Sequence, residues 1–332
     1  TIPSTRVYGD QIGFPVYVDL SLLGADFFNR VASDGRDIRV TLGDGVTELP
    51  HELVGIDTVS DTGELYFKAD LNSSSVNEFY IYFDNEDVSA YDRTDTYGSE
   101  SVWTNGFQAV YHFEDSAVGV SNPDVYLDST ANQYHGDDEN TSNDTSGLFG
   151  NGLELGDSTN DHIDLPRGVL DGVTDITVSG WWNIPSTSGG ADRMILSGAN
   201  AGVPDEFMLW LDNDASGDDE FIFEHSNGAE PWDFDNNGVW DTGVWEHFLV
   251  TGEDAIDEVN FYLNGAGDTE NPDPQPIDAL SIDNGGLVIG QNQTSVGNFT
   301  AGNNFIGKMD EIRIATTVRD RHWARTEFEN MV

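Results

Sequence analysis

Apolar and polar residues alternate through most of this chain, and long stretches with the helical period are rare. In "FPVYVDLSL" the residues Phe14, Val16, Val18, Leu20 and Leu22 fall on one face, as in a half-buried strand. "DIRVTL" repeats the pattern with Ile38, Val40 and Leu42, and "EFYIYF" with Phe79, Ile81 and Phe83. These stretches predict a small antiparallel β-sandwich domain. The polar, turn-rich "DNEDVSAYDRTDTYGSESVW" that follows reads as a linker and places a domain boundary near residue 101, giving domains 1–101 and 102–332.

Beyond the boundary come "FQAVYHF", "GLEL", "ITVSGWWNI", "EFMLWL", "EFIFEH", "WEHFLVTG", "VNFYLNG", "GLVIG" and "MDEIRIA". Many short strands between Gly, Asp and Asn turns predict a second β-sandwich. Only "TTVRDRHWARTEFENMV" has a helical pattern, with Trp323 and Phe328 near one face, and it is expected to close the second domain as a packing helix. The fold class is all-β with a short C-terminal helix.

Composition sharpens this picture. The 61 acidic residues face 13 basic ones, for a formal net charge of −48, and the only lysines are Lys68 and Lys308. Nucleic acid is excluded as a partner, because nothing here neutralises phosphates, and anionic membranes are disfavoured for the same reason. With 37% hydrophobic and 11% aromatic residues, the chain has the material for a core despite its charge. Self-repulsion on this scale is tolerable when screened, and at molar salt the Debye length falls to about 3 Å. Few lysines and an excess of Asp over Glu resemble proteins of halophilic archaea and their viruses, so a high-salt setting is expected; an acidic marine or calcium-rich extracellular protein is the alternative. Cysteine is absent, which excludes disulfides, thiolate metal sites and a cysteine nucleophile. No run of 18 apolar residues and no signal-peptide pattern occurs, so a mature, truncated or otherwise released chain is expected at the cell surface, outside the cell or in a virion.

Candidate chemistry centres on "WDFDNNGVWDTGVWEHF". Asp233, Asp235, Asn237, Gly238, the carbonyl of Val239 and Asp241 match the first nine positions of a calcium loop, although Val244 stands where the bidentate Glu belongs and no helices flank it. A solvated acidic turn is the competing reading. Trp232 and Trp240 flank the turn, so a bound Ca²⁺ would order an aromatic rim for a sugar or receptor. Trp181 and Trp182 are adjacent on a strand and point to opposite faces, which leaves one available for stacking; Trp182, Trp210 and Trp245 are assigned to the core. In "DNDASGDDE", with Asp212, Asp214, Ser216 and Asp219, solvation is favoured over a metal.

Catalytic signals are weak. Glu220 and Glu224 of "EFIFE" lie about 13 Å apart along a strand, beyond the roughly 5–9.5 Å of paired glycosidase carboxylates. No histidine pair has zinc spacing, and no phosphate loop or nucleophile elbow occurs. Asn72, Asn140, Asn143, Asn292 and Asn298 head glycosylation triplets.

The ordered series "AVYHFEDS", "LDSTANQYHG", "GLFGNGLEL", "ITVSGWWNI", "WEHFLVTG", "FYLNG" and "FIGKMDEIRIA" resembles the concanavalin A-like jelly rolls of the laminin-G type over residues 103–332. The first part, with "GFPVYVDLS", "DIRVTLGDG", "LPHEL" and "YIYFDN", resembles a prokaryotic domain of unknown function that precedes such sandwiches. That domain usually opens with a further strand, for which only "TIPSTRVYGDQIG" is available, so an edge is open or completed by another subunit. The jelly-roll resemblance implies a structural calcium where the first and last strands meet, with Asp310 on the final strand and Asp115 and Asp128 in the opening segments as ligands. A buried carboxylate tying the sheets together is the other role open to Asp310. The resemblance implies a non-catalytic surface protein for adhesion, host-receptor or glycan recognition. A structural subunit of a fibre, pilus or capsid is the alternative, and a glycoside hydrolase or lyase of the same fold ranks last.

Overall fold

The computed structural model describes residues 1–332 except 86, 116–121, 140, 157–160, 186–191, 202–205, 214–218, 226–231, 236–239, 271–277 and 301. Side chains are described apart from these and from 142–145, 213, 219, 232–235 and 268–270. The chain forms two compact units. One comprises Thr1–Phe107, Ser129–Ala131 and Asp320–Val332, the other Gln108–Asp128 and Asn132–Arg319.

The first unit holds strands β1 (Gln11–Asp19), β2 (Arg39–Leu42), β3 (Glu48–Leu49), β4 (His51–Asp57), β5 (Thr62–Leu71) and β6 (Phe79–Tyr82), with a helical turn α1 (Ala25–Phe28). They make two antiparallel three-stranded sheets, ordered β1-β5-β4 and β3-β2-β6. Phe14, Val16, Ile38, Val40, Leu65 and Phe67 fill the core, as their alternation requires. Leu22 departs from its expected face and is 82% exposed, because a 3₁₀ turn over Leu20–Leu23 ends the strand and rotates it outward.

The segment expected to be a linker is packed onto this unit. Arg39 stacks over the Tyr91 ring at 4.3 Å, the Tyr91 hydroxyl donates to Glu48 Oε1 at 2.8 Å, and Val102 and Trp103 are buried. Its anchors are isolated aromatics among turns, which carry no period. The helix α2 (Arg321–Met331) also belongs here and not to the second domain as expected. Asp320 caps it by accepting from His322 and Trp323 backbone N–H groups. Trp323 lies 4.8 Å from the Phe14 ring, Thr326 Oγ1 accepts from Tyr8 N–H and Asn330 Oδ1 from Tyr17 N–H. The apolar stripe of α2 foretells a packed face, but the sequence does not say which domain receives it.

The second unit is the expected jelly-roll sandwich. Its strands are β7 (Phe107–Tyr111), β8 (Asn122–Tyr126), β9 (Gly136–Glu139), β10 (Ser142–Ser146), β11 (Asn151–Leu155) and β12 (His162–Leu165). Then come β13 (Ile176–Asn183), β14 (Arg193–Gly198), β15 (Phe207–Asn213), β16 (Asp219–His225), β17 (Trp232–Asp235) and β18 (Trp245–Glu253). The last are β19 (Glu258–Leu263), β20 (Ala266–Glu270), β21 (Leu287–Ile289), β22 (Gln293–Ser295), β23 (Asn298–Phe299) and β24 (Gly307–Ala315).

One sheet runs β10-β11-β24-β13-β18-β19-β20, with β7 also on β24; the other runs β17-β16-β15-β14-β21-β12-β9-β8. Their inner faces share one core in which Trp182, Phe221, Phe248 and Phe261 stack, with Trp182 and Phe248 rings 4.8 Å apart. Alternation then fixes which side chains each sheet presents on its other face.

Candidate functional site: the outward face of β15 and β16

Phe207, Leu209 and Leu211 of β15 and Phe221 and Phe223 of β16 point into the core. Met208, Trp210 and Asp212, with Glu220, Ile222 and Glu224, therefore stand on the outward face. The antiparallel register sets Met208 opposite Glu224, Trp210 opposite Ile222, and Asp212 opposite Glu220. Trp210, assigned to the core from sequence, is partly exposed on this face and flanked by three partly exposed carboxylates. The aromatic-rich alternation of β15 identifies the strand, but either phase of it is apolar, which hid the outward position of Trp210.

Asp192, just before β14, extends the acidic group. Its carboxyl hydrogen-bonds that of Asp212, and Asn303 Nδ2 donates to Asp192 Oδ2 at 3.0 Å. Burial holds the Asp192 carboxyl above its usual range, partly offset by this bond to Asp212.

The neighbouring part of the outward face is covered. Ser197 Oγ donates to the Gln291 carbonyl at 2.8 Å and accepts from Gln293 N–H, and Phe299 of the β22–β23 hairpin packs 4.4 Å from the His162 ring. The arrangement offers an indole face beside several hydrogen-bond acceptors. Asp212 and Glu220 face each other across the ladder, where paired Cα atoms are about 4.5–5.5 Å apart. Measuring only along the strand, from Glu220 to Glu224, misses this closer pair.

The residues expected to hold calcium at the sandwich edge are tied to backbone amides. Asp310 is fully buried, and its Oδ2 accepts from the N–H groups of Leu148 and Phe149 at 2.9 and 3.1 Å. Gly147 is required beneath it, since a Cβ there would lie 2.6 Å from that oxygen. Asp128, also fully buried, accepts from Val110 N–H through Oδ1 and Tyr134 N–H through Oδ2. Asp115 Oδ2 accepts from Leu127 N–H, and burial raises its carboxyl. Among the described residues no three Asp, Glu or His side chains converge on a common point. Calcium needs six to eight converging oxygens, whereas Asp310 Oδ2, both oxygens of Asp128 and Asp115 Oδ2 accept from backbone N–H groups.

The Asp233 turn is described in part. β17 sets Asp233 opposite Ile222 and Asp235 opposite Glu220, while Asn237, Gly238 and Val239 lie outside the described residues, as do the side chains of Trp232, Asp233 and Asp235. Asp241 is exposed, and its N–H donates to Glu246 Oε2 at 2.9 Å. Two proposed stacking residues are withdrawn. Trp240 is 5% exposed in the core, and Trp181 is 2% exposed between Phe149 and His247, so neither offers a free ring face. Trp181 does point away from the core, as adjacency to Trp182 requires, but the turn pinned by Asp310 covers it. Trp245, also assigned to the core, is partly exposed, and Asn292 is buried and closed to glycosylation in the folded chain.

Pattern reading also missed a buried ion triad. His112 Nδ1 lies 2.7 Å from Glu311 Oε1, and Arg313 Nη2 donates to Glu311 Oε2 at 2.9 Å. Burial would raise the Glu311 carboxyl, but the charges and hydrogen bonds of His112 and Arg313 outweigh it and bring it down to about 2.

Residues 157–323, half of the chain, match the laminin G-type family model described as the concanavalin A-like lectin/glucanases superfamily, and the chain belongs to that family. The family name covers lectins and glucanases and does not choose between binding and hydrolysis. Among solved structures the chain is similar to domain 4 of an extracellular arabinanase from Geobacillus stearothermophilus, solved with arabinotriose. The identity is 19%, over 67% of this chain and 98% of that one, with a TM-score of 0.46. The binding domain of botulinum neurotoxin serotype D is 15% identical over 68% of this chain and 51% of its own, with a TM-score of 0.47. A SAP-like pentraxin of Limulus polyphemus is 17% identical over 47% and 70%, with a TM-score of 0.40. The chain thus spans about half the length of the neurotoxin domain it matches. No curated protein sequence matches it.

Proposed function

We propose that this is a non-catalytic binding protein of an extracellular, cell-surface or virion setting, and that it recognises a hydroxyl-rich glycan on a host or receptor surface through the outward face of β15 and β16. The observation that carries the reading is Trp210, partly exposed on a sheet face and bordered by Asp212, Glu220 and Glu224. An indole takes the apolar face of a sugar ring, and carboxylates accept from its hydroxyls in charge-assisted hydrogen bonds. Four carboxyl groups and a chain charge of −48 repel anionic sugars, so neutral glycans are the ligand class. Calcium belongs to this reading through the Asp233–Asp241 turn. An ion held there would stiffen the margin of the face, since Asp235 lies opposite Glu220, and would reduce the ordering lost on binding.

The test is binding of neutral polysaccharides in molar salt, with and without a chelator. Trp210→Ala should weaken binding about 30-fold, the loss of one anchor worth about 2 kcal/mol, and chelation should weaken it if the turn holds calcium. Unchanged binding by Trp210→Ala would sink the reading. The Asp212–Glu220 pair favours glycoside hydrolysis as the second reading. Release of reducing ends, abolished by Asp212→Asn or Glu220→Gln, would establish it.

A further inference from the structure

Asn72, Asn140, Asn143, Asn292 and Asn298 each head an Asn-x-Ser/Thr triplet, whose chemistry requires a side-chain amide that a transferase can reach. The fold sorts them. Asn292 is buried. Asn298 lies in β23, where its Nδ2 donates to Ser295 Oγ at 2.7 Å and the next residue, Phe299, packs on His162. Asn140 and the side chain of Asn143 lie outside the described residues. Asn72 differs from Asn292 and Asn298. It is exposed, directly after β5 in the connection to β6, and its Nδ2 donates to no described residue.

The triplet Asn72-Ser73-Ser74 is held in that pose by its own loop. Asn72 Oδ1 accepts from the Ser74 N–H at 2.8 Å and from the Ser74 hydroxyl at 2.7 Å, which folds the third residue back onto the first. Ser73 donates its N–H and its hydroxyl to Asp10 Oδ1, both at 2.8 Å. Asn77 closes the loop, accepting from Asn72 N–H at 2.8 Å and donating to the Asn72 carbonyl at 3.0 Å. Each of these bonds uses other atoms and leaves Nδ2 unengaged. Ile2 pairs antiparallel with Asn77, so residues ahead of Thr1 would run along β6 and away from Asn72.

We infer that Asn72 is the acceptor of an N-linked glycan on the folded chain. An amide nitrogen is a poor nucleophile, because its lone pair is shared with the carbonyl. Loss of one Nδ2 proton to a base of the transferase moves charge onto Oδ1, where the two Ser74 donors already stand. Nδ2 bonds C1 of the first sugar of a polyprenyl-phosphate-linked oligosaccharide, the bond from C1 to the phosphate oxygen breaks, and the polyprenyl phosphate leaves with that electron pair. The hydrogen bonds of the loop are exposed and exchange with water at little net cost, so the triplet can be drawn into a transferase. Transfer of this kind belongs to secreted chains, so the role of Asn72 rests on the extracellular, cell-surface or virion setting proposed above.

The test is transfer in vitro to the full chain, with a purified oligosaccharyltransferase and its polyprenyl-linked oligosaccharide, followed by mass mapping of every triplet. In salt that keeps the chain folded, Asn72 should be modified on the order of tenfold faster than Asn298, whose amide must first leave Ser295, and Asn292 should stay bare. The unfolded chain should accept at Asn292 as well. Ser74→Ala should abolish transfer at Asn72, and Ser74→Thr, which keeps the hydroxyl, should retain it. A folded chain bare at Asn72, when the unfolded chain is modified there, would overturn the inference, and so would equal rates at Asn72 and Asn298. Mapping of the chain from its native source should find a glycan at Asn72, and a bare Asn72 there overturns the inference too. Polysaccharide binding through Trp210 is read separately, so a bare Asn72 on a chain that still binds leaves the proposed function standing.

Discussion

Asp310 shows how a residue's place can be read from the sequence while two roles for it stay open. Its place on the final strand, in "KMDEIRI", is legible, and so are its two possible roles as ligand or staple. What selects between them is the pair of N–H groups from Leu148 and Phe149, 162 and 161 residues away, which no local pattern announces. Asp310→Ala strands both donors in the interior and should cost about 3 kcal/mol of stability, with no rescue by added calcium. Denaturant melts of the variant in molar salt, with calcium and with chelator, check this, and a calcium-dependent difference would restore the ligand role.

Glu311 makes a prediction in pH. Its folded carboxyl lies at about 2 against an ordinary 4.5, so the unfolded chain takes up its proton first as pH falls. The stability it contributes is complete above about 4.5 and is lost progressively as pH falls towards 2. Glu311→Gln should flatten the fall of the unfolding midpoint in that window, relative to the unmodified chain. A parallel fall in both would show that other carboxylates govern acid unfolding.

At the scale of elements, strands were well marked and their partners were not. The period of β1 gives strand and buried face directly, because it is apolar on a two-residue repeat. Helix α2 is equally visible, yet Trp323 packs on Phe14 of the first unit. Trp323→Ala should therefore destabilise that unit by about 3–5 kcal/mol and leave the jelly roll unaffected. Proteolysis of the variant should cut within residues 1–107 while a fragment of the second unit survives. The register of β15 and β16 likewise lies beyond sequence. It is the ladder that sets Asp212 against Glu220 and Trp210 among them, where each strand alone shows only alternation.

At the scale of the whole molecule, charge dominates. A chain with 61 acidic and 13 basic residues repels itself, and raising salt from about 0.1 M to about 1 M shortens the Debye length from about 10 Å to about 3 Å. The thermal midpoint should climb steeply over that range. A midpoint flat above about 0.15 M would mean that packing alone carries the acid coat.

By itself the sequence determined what depends on neighbours in the chain: strands from alternation, and turns from Gly, Asp and Asn. Strand class is a local property that follows from φ/ψ preferences and a two-residue repeat, and the buried face is legible only where one phase alone is apolar. Only the tertiary structure decided which carboxylates bond to amides and which stay on an open face. It also decided that α2 serves the first unit and that Trp181 is covered while Trp210 is not. These are contacts between residues tens to hundreds of positions apart, and their energies exist only once the chain has closed on itself.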